Sequence, residues 1–230
     1  YKIKPEFIIK VFDKNHKEDE MIYLDNAATS FHKPDCVPRA VVEAMQHAGN
    51  SGRGSSGEAM AASRLIFNTR CQIAEMFDVW GPECVAFTSN DTEALNIALQ
   101  GTLHPEEETI HAICTEMDHN SVLRPLYRLE KKGMELTILP ADRKGRISLK
   151  ELEAAIRPDT KVIVCTHASN LTGNLNDIHA IGEIAQKHQK LFIVDAAQTA
   201  GVFPISMKKD HIDILCFSGH KGLMLSLIHI

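Results

Sequence analysis

The sequence lacks several features that would identify its class at once. It has no C-x-x-C pair, no apolar run of the roughly 20 residues needed to span a bilayer, and no excess of positive charge. Its 25 Lys and Arg against 30 Asp and Glu give a formal net charge of -5, which argues against nucleic acid or an anionic membrane as a partner. The first 20 residues are charged and lack the apolar core of a signal peptide. We therefore expect a cytoplasmic protein.

Common catalytic signatures are also missing. The chain contains no G-x-x-x-x-G-K-[ST], no H-E-x-x-H and no G-x-S-x-G, so nucleotide hydrolysis, zinc peptidase and α/β-hydrolase chemistry have no support. Residues 52–57 do match the dinucleotide pattern G-x-G-x-x-G. That pattern has to follow a buried strand, whereas 37–48 has helical periodicity, so we interpret 52–57 as a connection between helices.

The six cysteines are scattered rather than clustered. They lie at residues 36, 71, 84, 114, 165 and 216, a spacing that supports neither a zinc site nor a small disulfide framework. Each falls in an apolar helix or strand pattern, so we expect all six to be buried core thiols. A sulfur nucleophile needs an exposed thiolate of low pKa, and we predict none among them.

What is present is a regular alternation of two periodicities along the 230 residues. Apolar residues recur at helical spacing around 37–48, 58–77, 92–100, 120–132, 148–156 and 177–189. Short β-rich runs lie at 85–88, 110–115, 136–139, 162–166, 191–194 and 212–217. Near-continuous apolar strands that alternate with helices predict an α/β fold with a mostly parallel sheet and helices on both faces.

The two ends of the chain do not share this pattern. Residues 1–20 are charged and unpatterned, and 225–230 are apolar without a helix cap or turn. Because α/β sheets normally close with further strands and helices, we expect an α/β domain at 21–224 that is incomplete at its C-terminus.

Polar residues follow four of the predicted strands. In open parallel sheets, ligands bind outside the carboxyl ends of the strands, and His119, Asn170, Asp195 and Lys221 all come shortly after a strand. Alone, they could be a surface histidine, a turn asparagine, a capping aspartate and a solvated lysine. Together they match pyridoxal phosphate, which needs a lysine for covalent attachment and an acid that keeps its pyridine nitrogen protonated.

A fifth junction suggests a phosphate site. The residues Ser-Asn-Asp-Thr-Glu at 89–93 follow a β-rich run and directly precede a helical pattern. The free amides and the dipole of a helix N-terminus favour a phosphate group there. The alternative is a plain N-cap by Asp91 or Thr92 without any ligand.

The sequence also resembles the cysteine desulfurase and selenocysteine lyase family, which belongs to the class V aminotransferase-like, fold-type I pyridoxal-phosphate enzymes. The matching segments are YLDNAATS at 23–30, FTSNDTEALN at 87–96, EMDHNSVLRPL at 116–126, HASNLTGN at 167–174, VDAAQTAG at 194–201 and SGHKG at 218–222. The resemblance implies that 21–224 is the N-terminal part of the large pyridoxal-phosphate-binding domain, between non-family segments at 1–20 and 225–230.

The resemblance also implies roles for individual residues. Lys221 would attach the cofactor, Asp195 would bind the pyridine nitrogen, and His119 would stack on the ring as an acid and base. Two amides would lie near the ring oxygen: Asn170 and Gln198. Four residues would surround the phosphate: Asp91, Thr92, Ser218 and His220. Three residues would line the substrate entrance: Asn26, Ala27 and Ala28.

The implied reaction removes sulfur or selenium from cysteine or selenocysteine and leaves alanine and an enzyme persulfide. The resemblance further implies a homodimeric parent enzyme and a sulfur-acceptor protein. The chain departs from the family pattern at Ser55 and Ser56, where a histidine usually stands, and after Met224, where Gly-Pro is usual. The family's carboxylate-binding arginine and catalytic cysteine loop are absent, so we expect an inactive fragment. A class V aminotransferase and a fragment without stable cofactor binding remain alternatives.

Overall fold

The computed structural model describes residues 22–52, 55–106 and 108–225. The predicted leader at 1–20 and, apart from residue 225, the predicted tail lie outside these ranges. Six α-helices occur in the described part of the chain: α1 (Cys36–His47), α2 (Gly57–Met76), α3 (Asp91–Thr102), α4 (Asn120–Glu130), α5 (Leu149–Ala155) and α6 (Ile178–Lys187). Five strands alternate with most of them: β1 (His111–Thr115), β2 (Glu135–Leu139), β3 (Thr160–Thr166), β4 (Leu191–Asp195) and β5 (Ile214–Cys216).

The five strands form one parallel sheet in the order β2-β1-β3-β4-β5. Thr166 pairs with Asp195, and Asp195 pairs with Cys216. The carboxyl ends of β3, β4 and β5 therefore lie side by side, and the loops that follow them begin at one edge. The predicted α/β class and parallel sheet are confirmed.

Alternate residues of the central strands supply two separate cores. Ile163 and Phe192 pack on one face of the sheet, together with Leu152 of α5 and Ile181 of α6. The neighbouring strand residues pack on the other face, against α3 and α4. A sheet that is covered on both faces explains why every residue of β3 and β4 except Lys161 and Leu191 is buried. No helix in the described ranges is both long enough and apolar enough to cross a membrane.

One predicted strand is wrong. Residues 85–88 follow a short 3-10 helix, Pro82–Cys84, and pair with none of the described strands. The side chain of Phe87 is half exposed. Val, Phe and Thr favour an extended chain, but a strand forms only where a neighbouring backbone takes up its hydrogen bonds.

Gly182 allows α6 to pack closely against the turn that precedes β5. A Cβ atom at this position would lie 1.9 Å from the carbonyl oxygen of Asp210. We therefore expect Gly182→Ala to lower the free energy of unfolding by about 1–3 kcal/mol, as overpacking does. Gly101 of α3 is the matched control, since nothing lies within 4 Å of its Cβ position, and Gly101→Ala should stabilise the helix by up to about 1 kcal/mol. Urea unfolding of both variants measures the difference, and equal effects would contradict the packing argument.

Candidate functional site

A cavity of about 290 Å³ lies at the carboxyl edge of the sheet. Nine residues predicted to bind the cofactor line it: Asp91, Thr92, His119, Asn170, Asp195, Gln198, Ser218, His220 and Lys221. A larger groove of about 750 Å³ lies near the amino ends of β3 and β4, where Thr160 and Leu191 line it. It contains none of the predicted residues. The smaller cavity is therefore the candidate site.

Asp195 is the last residue of β4 and is only 3% exposed. Its Oδ1 accepts a hydrogen bond from the Ala197 amide at 2.9 Å. Burial raises the pKa of this carboxyl, while the nearby charges of His119 and Lys221 oppose the rise. A buried carboxylate gains most from a cationic partner, which is what a protonated pyridine nitrogen would supply.

Lys221 lies in the loop after β5 and is half-buried. The N-terminal segment fixes this loop from across the sequence. The Thr29 hydroxyl and the Ser30 amide both donate to the carbonyl oxygen of His220, at 3.1 Å and 3.2 Å. The His220 ring also contacts the Thr29 hydroxyl through Nδ1, at 3.0 Å. The residue next to the lysine is therefore anchored before any ligand binds.

His119 is the N-cap of α4, and its ring is held by a short hydrogen-bond chain. Its Nδ1 accepts from the Ser121 amide at 3.2 Å and lies 2.9 Å from the Ser121 hydroxyl. That hydroxyl lies 2.8 Å from the hydroxyl of Thr92. Because Nδ1 is an acceptor, the proton of the neutral ring is on Nε2. The Ser121 hydroxyl then donates a hydrogen bond to Nδ1 and accepts one from the Thr92 hydroxyl. Because the Thr92 hydroxyl donates to Ser121, the backbone amide is the donor that Thr92 can offer to a phosphate.

Ser121 and Asn90 also line the cavity, although neither is among the residues predicted from the sequence. Asn90, rather than Asp91 or Thr92, is the N-cap of α3, and its Oδ1 accepts from the Glu93 amide at 2.9 Å. Glu93 in turn accepts from the Ser89 amide at 2.6 Å. The sequence signal for this cap is Asn followed by Glu three residues later, although Glu93 binds the amide of Ser89 and not that of the N-cap Asn90. Capping by Asn90 rules out the simple capping alternative for Asp91 and Thr92.

The predicted substrate entrance is only partly at the cavity. Ala27 and Ala28 line it, and the Gln198 side-chain amide donates to the Ala27 carbonyl at 3.0 Å. Asn26 does not line it. Its side-chain oxygen accepts a hydrogen bond from the Phe31 amide at 3.4 Å, within its own loop.

The expectation that all six cysteines are buried is wrong. Cys36 and Cys84 are exposed and Cys71 is partly exposed, while the other three are buried. Cys36 begins α1, a helix with no buried residue, and Cys84 ends the short 3-10 helix. Burial raises the pKa of the thiols of Cys114, Cys165 and Cys216. None of the six lines the candidate cavity.

The site fits pyridoxal phosphate in three respects. A lysine and a buried carboxylate line one cavity, and the first turn of α3 offers amides without intrahelical partners. The Asp91 carboxyl does not fit this site in its ionised form. The Oδ1 atom of Asp91 is buried without a hydrogen-bond partner, and an ionised carboxylate at this position would repel a phosphate.

Comparisons with known proteins agree with this geometry. Residues 22–226 match the family model described as Aminotransferase class-V. The chain is 36% identical over 205 residues to a protein named cysteine desulfurase IscS from Vibrio atlanticus, covering 87% of this chain and 50% of that protein. It is also 36% identical over 206 residues to one named putative cysteine desulfurase IscS 1 from Bacillus subtilis, covering 88% and 53%.

Solved structures show the same fold. The structure described as SspA in complex with cysteine has a TM-score of 0.82 at 30% identity and covers 87% of this chain and 58% of that one. The apo structure of cysteine desulfurase from Thermococcus onnurineus has a TM-score of 0.80 at 34% identity, covering 89% and 51%. The chain spans about half the length of the curated relatives that it matches.

Proposed function

Because the chain belongs to the class-V aminotransferase family, we propose that it is the pyridoxal-phosphate-binding part of a cysteine desulfurase-like enzyme. Class V aminotransferases and cysteine desulfurases depend on pyridoxal phosphate. The observation that carries the proposal is the single cavity lined by Asp195, Lys221 and the first turn of α3. These are the three kinds of group that this cofactor needs.

The proposed roles follow from where each side chain lies. The cofactor supplies an acceptor for the electrons released when a Cα proton is removed. Lys221 would hold the cofactor through its side-chain amine and would also accept and return that proton. Asp195 keeps a proton on the pyridine nitrogen. His119, whose tautomer Ser121 fixes, would lie against the ring, and Asn170 and Gln198 would bind the ring oxygen.

The phosphate is proposed to lie at the start of α3. The amides of Asp91 and Thr92 are donors there, and the side chains of Ser218 and His220 line the same cavity. Ala27 and Ala28 border the substrate entrance. The helix dipole adds a favourable interaction with the negative charge.

For the whole protein, the proposed substrate is cysteine or selenocysteine and the proposed products are alanine and an enzyme persulfide. No described cysteine lines the cavity, so the thiol that takes the sulfur would have to come from other residues. The relatives named as cysteine desulfurases favour this reaction over transamination. A homodimer, a sulfur-acceptor protein and a cytoplasmic location are further proposals. Unpaired buried thiols are in keeping with a reducing compartment.

Titration with pyridoxal phosphate tests the proposal. We expect the purified protein to develop a visible absorption band that saturates at one cofactor per chain and survives gel filtration. Pyridoxal without the phosphate should bind more weakly, because it cannot use the first turn of α3. Absence of a saturable band would reject the proposal and leave the chain as a fragment without cofactor binding.

A further inference from the structure

The backbone amide of Asp91 has a proposed role at the phosphate, but the side-chain carboxyl of Asp91 has none. Asp91 is the first residue of α3 and is about nine-tenths buried, with 9% of its surface exposed. Asn90 caps the helix, so the Asp91 carboxyl is not needed for that purpose. Its Oδ1 atom has no hydrogen-bond partner among the described residues. A buried polar atom that is left unpaired costs free energy and suggests a missing partner.

Asp195 is a charged group that lines the same cavity as Asp91. The two carboxyl groups come close enough to share a hydrogen bond, and each affects the titration of the other. Two buried carboxylates this close cannot both remain ionised. Lys221 and His119 favour the ionised form of Asp195. Repulsion from Asp195 also helps to raise the pKa of the buried Asp118, and burial keeps the Cys216 thiol uncharged.

Within this pair, the proton belongs on Asp91. Burial raises the pKa of Asp91 to about 8, and repulsion from Asp195 adds to the rise while Lys221 opposes it. The shared hydrogen bond has the opposite effect on Asp195, lowering its pKa. Asp91 is therefore the donor of the pair and Asp195 the acceptor.

This inference rests on the proposed function. We propose that Asp91 is a positioning residue that enters the site as a neutral acid and keeps its proton. Its O–H donates a hydrogen bond to Asp195 in the empty site and to the cofactor phosphate once the cofactor is bound. Asp195 is thereby left free for the pyridine nitrogen. Loss of the Asp91 proton to solvent at higher pH would turn this donor into an anion beside the phosphate. Cofactor affinity is therefore lower in alkaline solution.

Binding of pyridoxine 5′-phosphate tests the inference, because this ligand has a phosphate but no aldehyde and cannot react with Lys221. Calorimetric dissociation constants would be measured between about pH 7 and about pH 9. Over this range the neutral fraction of a group that titrates near 8 falls about tenfold. We expect the unaltered protein to lose about tenfold more affinity than Asp91→Asn, whose amide remains a neutral donor. Asp91→Ala should bind pyridoxine 5′-phosphate weakly at both pH values.

The variants separate this inference from the proposed function. Parallel pH profiles for the unaltered protein and Asp91→Asn would overturn the role of Asp91 while leaving cofactor binding intact. No binding to any variant at any pH would reject the proposed function itself. A second readout needs no ligand. In protein with carbon-13-labelled aspartate carboxyls, one resonance should titrate near pH 8 and be missing from Asp91→Asn. Its absence from the unaltered protein would also overturn the inference.

Discussion

Lys221→Ala is expected to abolish covalent retention of pyridoxal phosphate. Borohydride fixes the cofactor only where a lysine amine has condensed with its aldehyde. Lys221 is the lysine that lines the candidate cavity, and it is close enough to Asp91 and Asp195 to affect the pKa of both carboxyls. We expect label retained after reduction to fall at least about a hundredfold, to the background of free lysines, as for loss of the single attachment site.

Lys190→Ala is the matched control for this experiment. Lys190 lines the larger groove, where its Nζ donates to the Pro158 carbonyl at 3.1 Å. Its removal should leave labelling unchanged. Circular dichroism should show that both variants keep the native fold. Retention of label by a folded Lys221→Ala protein would remove the proposed attachment site.

Three buried acids are expected to stabilise the cofactor-free protein progressively less as the pH rises from about 4 to about 8. Burial raises the pKa of Asp91 to about 8 and that of Asp118 to about 7, and it raises the pKa of Asp195 as well. An acid with a higher pKa in the folded state binds its proton more tightly there than in the unfolded chain. Its stabilising contribution is complete below the unfolded pKa and is lost as the pH rises through the folded one.

Urea unfolding across this pH range measures the effect. We expect a loss on the order of a few kcal/mol, and Asp91→Asn should make the decline shallower. Asp142→Asn is the control. Asp142 is exposed, and hydrogen bonds from the Arg146 and Lys144 amides lower its pKa. Its contribution to the free energy of unfolding therefore changes at pH values below this range. A pH profile of the unaltered protein that runs parallel to that of Asp91→Asn would contradict the assignment of Asp91 as a buried neutral acid.

The sequence predicts the sheet well because the central strands contain continuous runs of apolar residues. Residues 162–165 of β3 and 191–194 of β4 are all apolar, since both faces of these strands are covered. The segment 85–88 has similar residues but no neighbouring strand among those described. Strand formation depends on a partner, and local composition contains no information about that partner.

The candidate site is predictable to a similar degree. The rule that ligands lie beyond the strand ends and the family motifs together select Asp195 and Lys221. They do not predict that Ser121 fixes the tautomer of His119, because that contact depends on how α4 begins after its N-cap. The protonation of Asp91 depends on its burial and on its interaction with Asp195, which lies 104 residues further along the chain. The exposure of Cys36 depends on whether another element covers α1.

The most direct test of the account is a peptide map of the unaltered protein after incubation with pyridoxal phosphate and reduction with borohydride. The account predicts one modified peptide, with the phosphopyridoxyl group on Lys221 next to the His220 that Thr29 and Ser30 anchor. A label spread over surface lysines such as Lys190 and Lys208, with Lys221 unmodified, would contradict it.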